Sequence, residues 1–226
     1  MKILSVETAG NICAVALTED DKLIKEKILD DGNTHSIKLM PLIDKLLSET
    51  NIKISDIDLF ACDIGPGSFT GIRIGVSTIK AFRDVTNKKA LGITSLENLA
   101  YNIDTEDIVC ALIDAKNENV YYGFFKKENE KYSPIYDLNF DNINKVIEIA
   151  KNINKKIFFV GNGSIEYKDM IESKLENIVM VDDEKNKLNA RNIALAAYLK
   201  REEAVDTNHL NPLYLRPSNA EREIRK

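Results

Sequence analysis

Alternating apolar and polar positions at the start of the chain predict three consecutive strands. We expect them at Lys2–Val6, Asn11–Thr18 and Lys22–Leu29, and the charged turn Glu19–Asp21 separates the last two. Connections this short join neighbouring antiparallel strands. The pattern therefore predicts a β-meander.

A strand between two helices is predicted next. The first helix has Thr34 as its N-cap and runs to about Thr50, and Pro41 marks either its first turn or a kink. The apolar run Ile57–Ile64 predicts a buried strand, and a helix over Gly71–Val85 follows it. This order of elements is typical of an α/β protein.

The second half of the chain repeats the plan of the first. Without a gap, Ile113–Phe125 aligns with Val6–Thr18, acid on acid and strand on strand. The apolar strand Ile157–Val160, followed by Gly161–Ser164, matches the strand and glycine loop of the first half. Two matches in the same order indicate two lobes that arose by duplication.

We place the boundary between the lobes near residue 104. The expected fold is α/β, with one lobe over residues 1–104 and a second over 105–226. A late helix over Lys185–Leu199 has an alanine-rich face, and it is expected to pack back on the first lobe.

Composition favours a cytoplasmic globular protein. No apolar run approaches the roughly 20 residues that cross a bilayer, so we expect no membrane association. Cys13, Cys62 and Cys110 have none of the spacings that build disulfide or zinc frameworks. The net charge of −5 opposes autonomous binding to nucleic acid. Any contact with RNA is therefore expected to be shared with a partner.

A basic tail at the end of the chain has two interpretations. Arg216, Arg222, Arg225 and Lys226 cluster there. They form either a solvated helix face or a contact with RNA.

The glycine loop after the predicted strand over Ile57–Ile64 is a candidate anion site. Its glycines allow a tight turn and leave backbone amides facing outward at the start of a helix. The predicted anion ligands are Gly65, Gly67, Ser68 and Thr70. Alternatively the loop is a plain connector, and Ser68 or Thr70 caps the helix.

Two predicted helices carry more apolar surface than one helix needs against its own core. Either a partner covers the surplus, or both helices are enclosed within the fold. Gly71 and Gly75, with Thr78 nearby, form a smooth strip that suits close approach of a partner helix. The residues predicted to form a partner interface are Ile37, Met40, Ile43, Leu47, Gly71, Ile72, Arg73, Gly75, Thr78, Ile79 and Phe82.

Candidate catalytic groups are few. His35 and His209 are the only histidines, and each is isolated from cysteines and acidic clusters at ligand spacing. Glu7 and Asp114 stand at equivalent places in the two halves, but no glycine follows either one to let a phosphate approach. We therefore predict no metal site and no catalytic residue.

Several segments together resemble a known family. They are Val6–Thr8, His35 and Ser36 with Leu39–Leu47, Gly65–Gly75, Gly92–Glu97, Asp114 with Ala115, and Pro212–Arg216. The chain resembles the TsaB family over most of its length, within the superfamily of sugar kinases, the heat-shock ATPase and actin. Ser95 and Leu99 stand where the family's catalytic paralogue has metal-binding histidines, and Glu7 replaces the family's usual aspartate.

The resemblance implies a two-lobed actin-like fold and a non-catalytic scaffold role. The implied complex transfers a threonylcarbamoyl group to N6 of the adenosine 3′ of the anticodon, in tRNAs that read codons beginning with A. The implied partners are a TsaD-like catalytic paralogue and a TsaE-like ATPase. ATP and metal are expected on those subunits, with no cofactor on this chain. Transfer RNA is expected to be bound only through the complex, and the isolated chain could form a homodimer.

The alternative interpretation is that the chain is itself an enzyme. The chain would then be an ATP-dependent phosphotransferase of the actin superfamily or a peptidase-like hydrolase. Ser68 has no histidine within its motif to activate it, and the glycine turns of a kinase are absent.

Overall fold

The computed structural model describes residues 1–30, 35–205 and 210–216. None of the helices in these ranges is long and apolar enough to span a membrane. The strands are β1 (Lys2–Glu7), β2 (Cys13–Glu19), β3 (Lys22–Leu29), β4 (Leu59–Asp63), β5 (Lys89–Ile93), β6 (Ile108–Asp114), β7 (Asn119–Glu128), β8 (Lys131–Pro134), β9 (Asn139–Asn142), β10 (Ile157–Val160) and β11 (Ile178–Met180). The helices are α1 (His35–Thr50), α2 (Phe69–Thr86), α3 (Ser95–Ala100), α4 (Ile143–Ile153), α5 (Asn162–Glu166), α6 (Lys168–Glu172) and α7 (Ala190–Leu199).

The first sheet has the strand order β3-β2-β1-β4-β5. Strand β1 pairs antiparallel with β2 and parallel with β4, so that Val6 lies opposite Val15 on one side and Cys62 on the other. The predicted β-meander over the first three strands is confirmed.

Helices cover both faces of the first sheet. Along β2, Cys13, Val15 and Leu17 belong to the core that α1 and α2 cover. Ala14 and Ala16 point to the other face, where they pack with Ala190 at the start of α7. The small alanine side chains let α7 lie close to the sheet, so β2 is buried on both faces.

The second sheet repeats the order of the first. Its strands run β8-β7-β6-β10-β11, with β9 paired to β7. Strand β6 is antiparallel to β7 and parallel to β10, just as β1 is to β2 and β4. The predicted α/β fold with two duplicated halves is confirmed, and both sheets are mixed.

The gap-free alignment of the two halves is wrong by one residue on its second strand. Glu7 lies opposite Ala14, whereas Asp114 lies opposite Val120. Val120 therefore takes the place of Ala14 and not of Cys13. The hairpin turn in the second half is one residue shorter.

The chain forms two compact units. Unit 1 comprises Met1–Asn98 and Leu188–Leu213, and unit 2 comprises Leu99–Lys187 with the described residues after Leu213. Helix α7 lies in unit 1, where it packs on β1 and β2. The lobe boundary at residue 104 stays a prediction.

The helix predicted over Lys185–Leu199 is wrong in its first part. A short 3-10 helix covers Asp183–Asn186, and α7 begins only at Ala190. The side chain of Asn189 accepts a hydrogen bond from the Asn192 amide at 2.8 Å, so Asn189 is the N-cap of α7. A capping side chain of this kind starts a new helix.

Helix α1 begins at His35, and Pro41 lies inside it. Pro41 therefore does not mark the first turn. The predicted N-cap, Thr34, lies outside the described residues. The C-terminal end of α1 is tied to β3 through Glu49, which pairs with Lys25 and Lys27 at 2.5 and 2.8 Å.

Replacing Gly161 by alanine should strongly destabilise the protein. Gly161 has a φ of 103°, and an added Cβ would lie 2.1 Å from the carbonyl oxygen of Leu112. We expect a loss of about 2–5 kcal/mol in the free energy of unfolding, measured by urea titration. The control is Gly10→Ala, where the nearest atom is the flexible end of Leu188 at 3.1 Å. Equal shifts for the two variants would contradict this account.

Candidate functional site

The loop between β4 and α2 is seated against the turn between β1 and β2. Gly65 has a φ of 101°, a conformation that favours glycine. A Cβ at Gly67 would lie 2.5 Å from the carbonyl oxygen of Ala9. The amide of Ser68 donates to that same oxygen at 2.7 Å. The loop and the turn therefore pack as one piece.

Ser68 caps helix α2. Its Oγ accepts a hydrogen bond from the Gly71 amide at 3.2 Å. This bond satisfies one of the amides that a helix start leaves without an intrahelical acceptor. The structure thus shows the capping role that was one of the two alternatives for Ser68.

Some of the amide donors of the predicted anion site are already hydrogen-bonded within the chain. Gly65 is buried, whereas Gly67, Ser68 and Thr70 are exposed. The Gly65 amide donates to Oδ1 of Asp63 at 2.7 Å, and the Ser68 amide is bound by the turn. Binding of an anion by this loop stays a prediction.

Two buried carboxyl groups lie directly beneath this loop and turn. Glu7 ends β1 and Asp63 ends β4, and both residues are 0% exposed. The two strands are parallel neighbours with Val6 opposite Cys62, so the next residues along lie side by side. Two ionised carboxylates buried together would be very unfavourable, because burial and mutual repulsion both oppose the second charge.

Glu7 holds the β1–β2 turn and helix α3. Its Oε1 accepts hydrogen bonds from the amides of Ala9 and Gly10 at 2.8 and 3.0 Å. Its Oε2 accepts from Nδ2 of Asn98, at 3.1 Å. One side chain thus connects its own turn to α3.

Asp63 holds the glycine loop and the start of α3. Its Oδ1 accepts from the Gly65 amide at 2.7 Å and from Oγ of Ser95 at 2.6 Å. Its Oδ2 is buried and finds no donor among the nitrogen and hydroxyl groups of the described residues. A protonated Glu7 carboxyl can donate a hydrogen bond to Asp63.

Burial and mutual repulsion favour a single proton on this pair of carboxyl groups. Burial raises the pKa of Glu7 well above its ordinary value, and the Asp63 carboxylate raises it further. Burial also raises the pKa of Asp63, but the hydrogen bonds that it accepts from Glu7 and Ser95 oppose that rise. We therefore assign the proton to Glu7 and the negative charge to Asp63.

Asp63 lies outside the predicted site residues. Asp63 is the last residue of an otherwise apolar strand. An ionisable group in such a place is the sequence signal that could have indicated a site residue. Its partner Glu7 is distant in sequence, and only the parallel pairing of β1 with β4 brings the two together.

The predicted partner-interface residues differ widely in exposure. Ile37 and Met40 on α1 are 72% and 50% exposed, so they offer apolar surface. The exposed members are Ile37, Met40 and Arg73; the half-buried ones are Leu47, Thr78 and Phe82; the buried ones are Ile43, Gly71, Ile72, Gly75 and Ile79. The buried members belong to the interior of unit 1, and the interface itself stays a prediction.

The expectation of a glycine strip open to a partner is corrected at Gly75. A Cβ there would lie 2.5 Å from Oγ1 of Thr8 and 3.6 Å from Cγ2 of Val6. Oγ1 of Thr8 also donates to the Gly71 carbonyl at 2.8 Å. The chain's own turn makes the close approach, so a bulky residue at Gly75 would disturb the fold itself.

The equivalent acid of unit 2 has different surroundings. Asp114 is bound by Nζ of Lys116 at 2.6 Å and by the hydroxyl of Tyr167 at 3.0 Å. Partial burial acts to raise the pKa of Asp114, but the hydrogen bonds from Lys116 and Tyr167 outweigh it and keep that pKa below its usual value.

Two groups of predicted residues lie partly beyond the described structure. His209 is outside it, as are Arg222, Arg225 and Lys226 of the basic tail, and the side chain of His35 is not described. The guanidinium of Arg216 lies 4.9 Å from the ring centre of Phe140. Among the described residues, no three His, Cys, Asp or Glu side chains could together hold a metal ion.

Glu7→Gln should remove part of the pH dependence of stability. The folded pKa of Glu7 is raised, so the folded state binds more protons than the unfolded state above the ordinary value of 4.5. The pair's contribution is full below that value and is lost as the pH rises through the raised pKa. We expect the free energy of unfolding of the wild type to fall with pH in this window, measured by urea titration. Glutamine is neutral throughout, so the variant should lack this decline.

The matched control for this measurement is Glu19→Gln, at the exposed end of β2 in the same unit. It should keep the wild-type slope. Identical slopes for Glu7→Gln and the wild type would contradict the shared proton.

Comparisons with known proteins extend over nearly the whole chain. The family model described as TsaD: tRNA N6-adenosine threonylcarbamoyltransferase matches residues 30–224. The chain is 29% identical over 222 residues to the tRNA threonylcarbamoyladenosine biosynthesis protein TsaB of Bacillus subtilis (strain 168), covering 98% of this chain and 96% of that protein.

Solved structures show the same fold. A Pseudomonas aeruginosa protein described as similar to peptidase YeaZ matches with a TM-score of 0.82 at 22% identity, covering 95% of this chain and 99% of that one. The ROK hexokinase of Thermus thermophilus matches with a TM-score of 0.52 at 8% identity, covering 90% and 100%. These likenesses confirm the predicted actin-like fold. The chain belongs to the tRNA N6-adenosine threonylcarbamoyltransferase family, and within it to the TsaB proteins.

Proposed function

We propose that this chain is a non-catalytic scaffold subunit in tRNA threonylcarbamoyladenosine biosynthesis. In this role it binds a TsaD-type catalytic paralogue through the outer faces of α1 and α2. The biosynthetic role follows from its TsaB relatives, and the transferase activity is that of the family to which it belongs. The observation that carries the scaffold role is the apolar surface on these two helices.

Helix α1 carries apolar residues beyond those its core needs. Leu39, Leu42, Ile43 and Leu46 follow helical spacing and are buried against the sheet. Ile37, 72% exposed, lies outside that buried set. Single exposed apolar residues are common, but a group of them on adjacent helices suits a protein interface.

Helix α2 contacts α1 and also carries exposed apolar residues. Val85, near its C-terminal end, is 85% exposed. At its N-terminal end the guanidinium of Arg73 lies 3.8 Å from the ring centre of the exposed Phe69. Aromatic and arginine side chains held in place by each other are typical of residues that dominate binding energy.

The absence of a nucleotide cofactor on this chain is part of the proposal. The amides of Ala9 and Gly10 in the β1–β2 turn are bound by Glu7 and are not offered to a phosphate. The carboxyl groups of Glu7 and Asp63 are fully buried, where a substrate does not reach them. ATP and metal would then be held by the partner subunits.

Further features of the complex stay predictions. They are a TsaE-like ATPase as an additional partner, contact with tRNA only through the complex, a homodimer of the isolated chain, and a cytoplasmic location.

Ile37→Glu combined with Met40→Glu should weaken binding of the TsaD-type paralogue. Both side chains are exposed, so the fold should be kept, while two charges would be buried in the interface. We expect a loss of about 2 kcal/mol or more, roughly 30-fold in Kd, measured by titration calorimetry. The control is Ile165→Glu on α5, which is 48% exposed and lies in unit 2. Unchanged affinity of the double variant would exclude this surface.

Reconstitution separates the scaffold from an enzyme. Threonylcarbamoyladenosine should form only when the paralogue is present, and the pure chain titrated with magnesium-ATP should give no micromolar binding. Product formed by the chain alone would overturn the non-catalytic role.

A further inference from the structure

The buried pair of Glu7 and Asp63 connects to the surface that would bind the partner. Glu7 fixes the β1–β2 turn through the amides of Ala9 and Gly10. Asp63 fixes the glycine loop through the Gly65 amide. The loop and the turn are thus both anchored at the ends of two neighbouring strands.

The β1–β2 turn and the glycine loop together hold the beginning of α2. The carbonyl of Ala9 accepts from the Ser68 amide at 2.7 Å, immediately before the helix. Oγ1 of Thr8 donates to the Gly71 carbonyl at 2.8 Å, within its first turn. At Gly75, one turn further on, no Cβ separates the helix from Thr8. Three successive contacts therefore transmit the position of the turn to α2.

We infer that Glu7 and Asp63 are positioning residues for the partner-binding face, and that their hydrogen bonds to the β1–β2 turn and the glycine loop hold α2 in its binding geometry. This inference rests on the proposed function. Loss of the proton would leave two carboxylates in contact within the core. Their repulsion would separate the β1–β2 turn from the glycine loop. The N-terminal end of α2 would then lose the contacts that fix its position.

Other titratable and charged groups lie near the pair on α3, β4 and α2. On α3, Glu97 is buried but is bound by Nζ of Lys200 at 3.2 Å. On β4 the thiol of Cys62 is buried, and burial raises its pKa so that it stays neutral. On α2, Lys80 interacts electrostatically with the Cys62 site. The polar groups in direct contact, Ser95 and Asn98, carry no charge.

A purely structural role predicts a different result from a positioning role. If the pair only stabilises the core, its titration changes the free energy of unfolding but not the affinity of molecules that remain folded. If it positions α2, affinity for the partner changes with pH while the protein stays folded. The pH profile of binding therefore distinguishes the two roles.

The experiment compares full-length wild type, Glu7→Gln and Glu97→Gln. Binding to the purified TsaD-type paralogue is measured by calorimetry between about pH 6 and about pH 9, and circular dichroism verifies folding at each pH. We expect wild-type affinity to fall, roughly fivefold or more, as the pH rises through the raised pKa of Glu7. Glu7→Gln should keep the low-pH affinity throughout, because its amide is neutral and retains a donor for Asp63. Glu97→Gln should follow the wild type.

Hydrogen exchange of the isolated wild-type chain provides a second readout, which requires no partner. Amides at the start of α2, such as those of Gly71 and Ile72, should lose protection as the pH rises, beyond the intrinsic rate change. Those of α4, in unit 2, should not. Parallel binding profiles for wild type and Glu7→Gln, or unchanged protection of α2, would overturn the inference. If the wild type binds no paralogue at any pH, the proposed function fails, and the exchange result decides whether the pair positions α2.

Discussion

The close approach of the β1–β2 turn to the start of α2 is the contact on which unit 1 depends. Gly67 and Gly75 both face the turn at distances that leave no room for a Cβ. Where this contact is buried, its backbone groups must find partners within the chain, because an unpaired buried amide or carbonyl is unfavourable. Glu7 and Asp63 meet part of this requirement, and their own burial is tolerated because one proton removes one of the two charges.

The two units solve the same geometric problem with different chemistry. In each, a glycine with positive φ follows a strand that is parallel to the central strand of its sheet. The Gly65 amide donates to a carboxylate, Asp63, while the Gly161 amide donates to the neutral side chain of Asn186 at 2.7 Å. Unit 1 therefore uses an ionisable side chain as the acceptor at this point, whereas unit 2 uses a neutral one.

Local periodicity was sufficient to predict the opening β-meander, and the repeated pattern of residues was sufficient to predict two related halves. The strand β4, the glycine loop and the helix α2 could be read in this way. The contact of Glu7 with Asp63 could not, since it requires knowing that β1 and β4 are parallel neighbours. Local pattern also failed where a side chain competes with the backbone, as when Asn189 caps α7 and divides the predicted final helix.

Helical periodicity also could not tell which apolar residues the core would use. Helical periodicity places both Ile37 and Ile43 in the predicted partner interface, yet Ile37 is exposed and Ile43 is buried. The direction of a side chain around a helix follows from its spacing, but the width of the face that a sheet covers follows from tertiary packing. Gly75 was likewise recognised as a place of close approach, but the approaching segment is the chain's own turn.

The acceptor used by Gly161 comes from a distant part of the chain. Asn186 lies in the 3-10 helix before α7, 25 residues after Gly161, whereas Asp63 precedes Gly65 by only two residues. The acceptor of Gly65 is therefore available as soon as its own strand and loop form. The acceptor of Gly161 is available only after a long loop has closed, which costs conformational entropy.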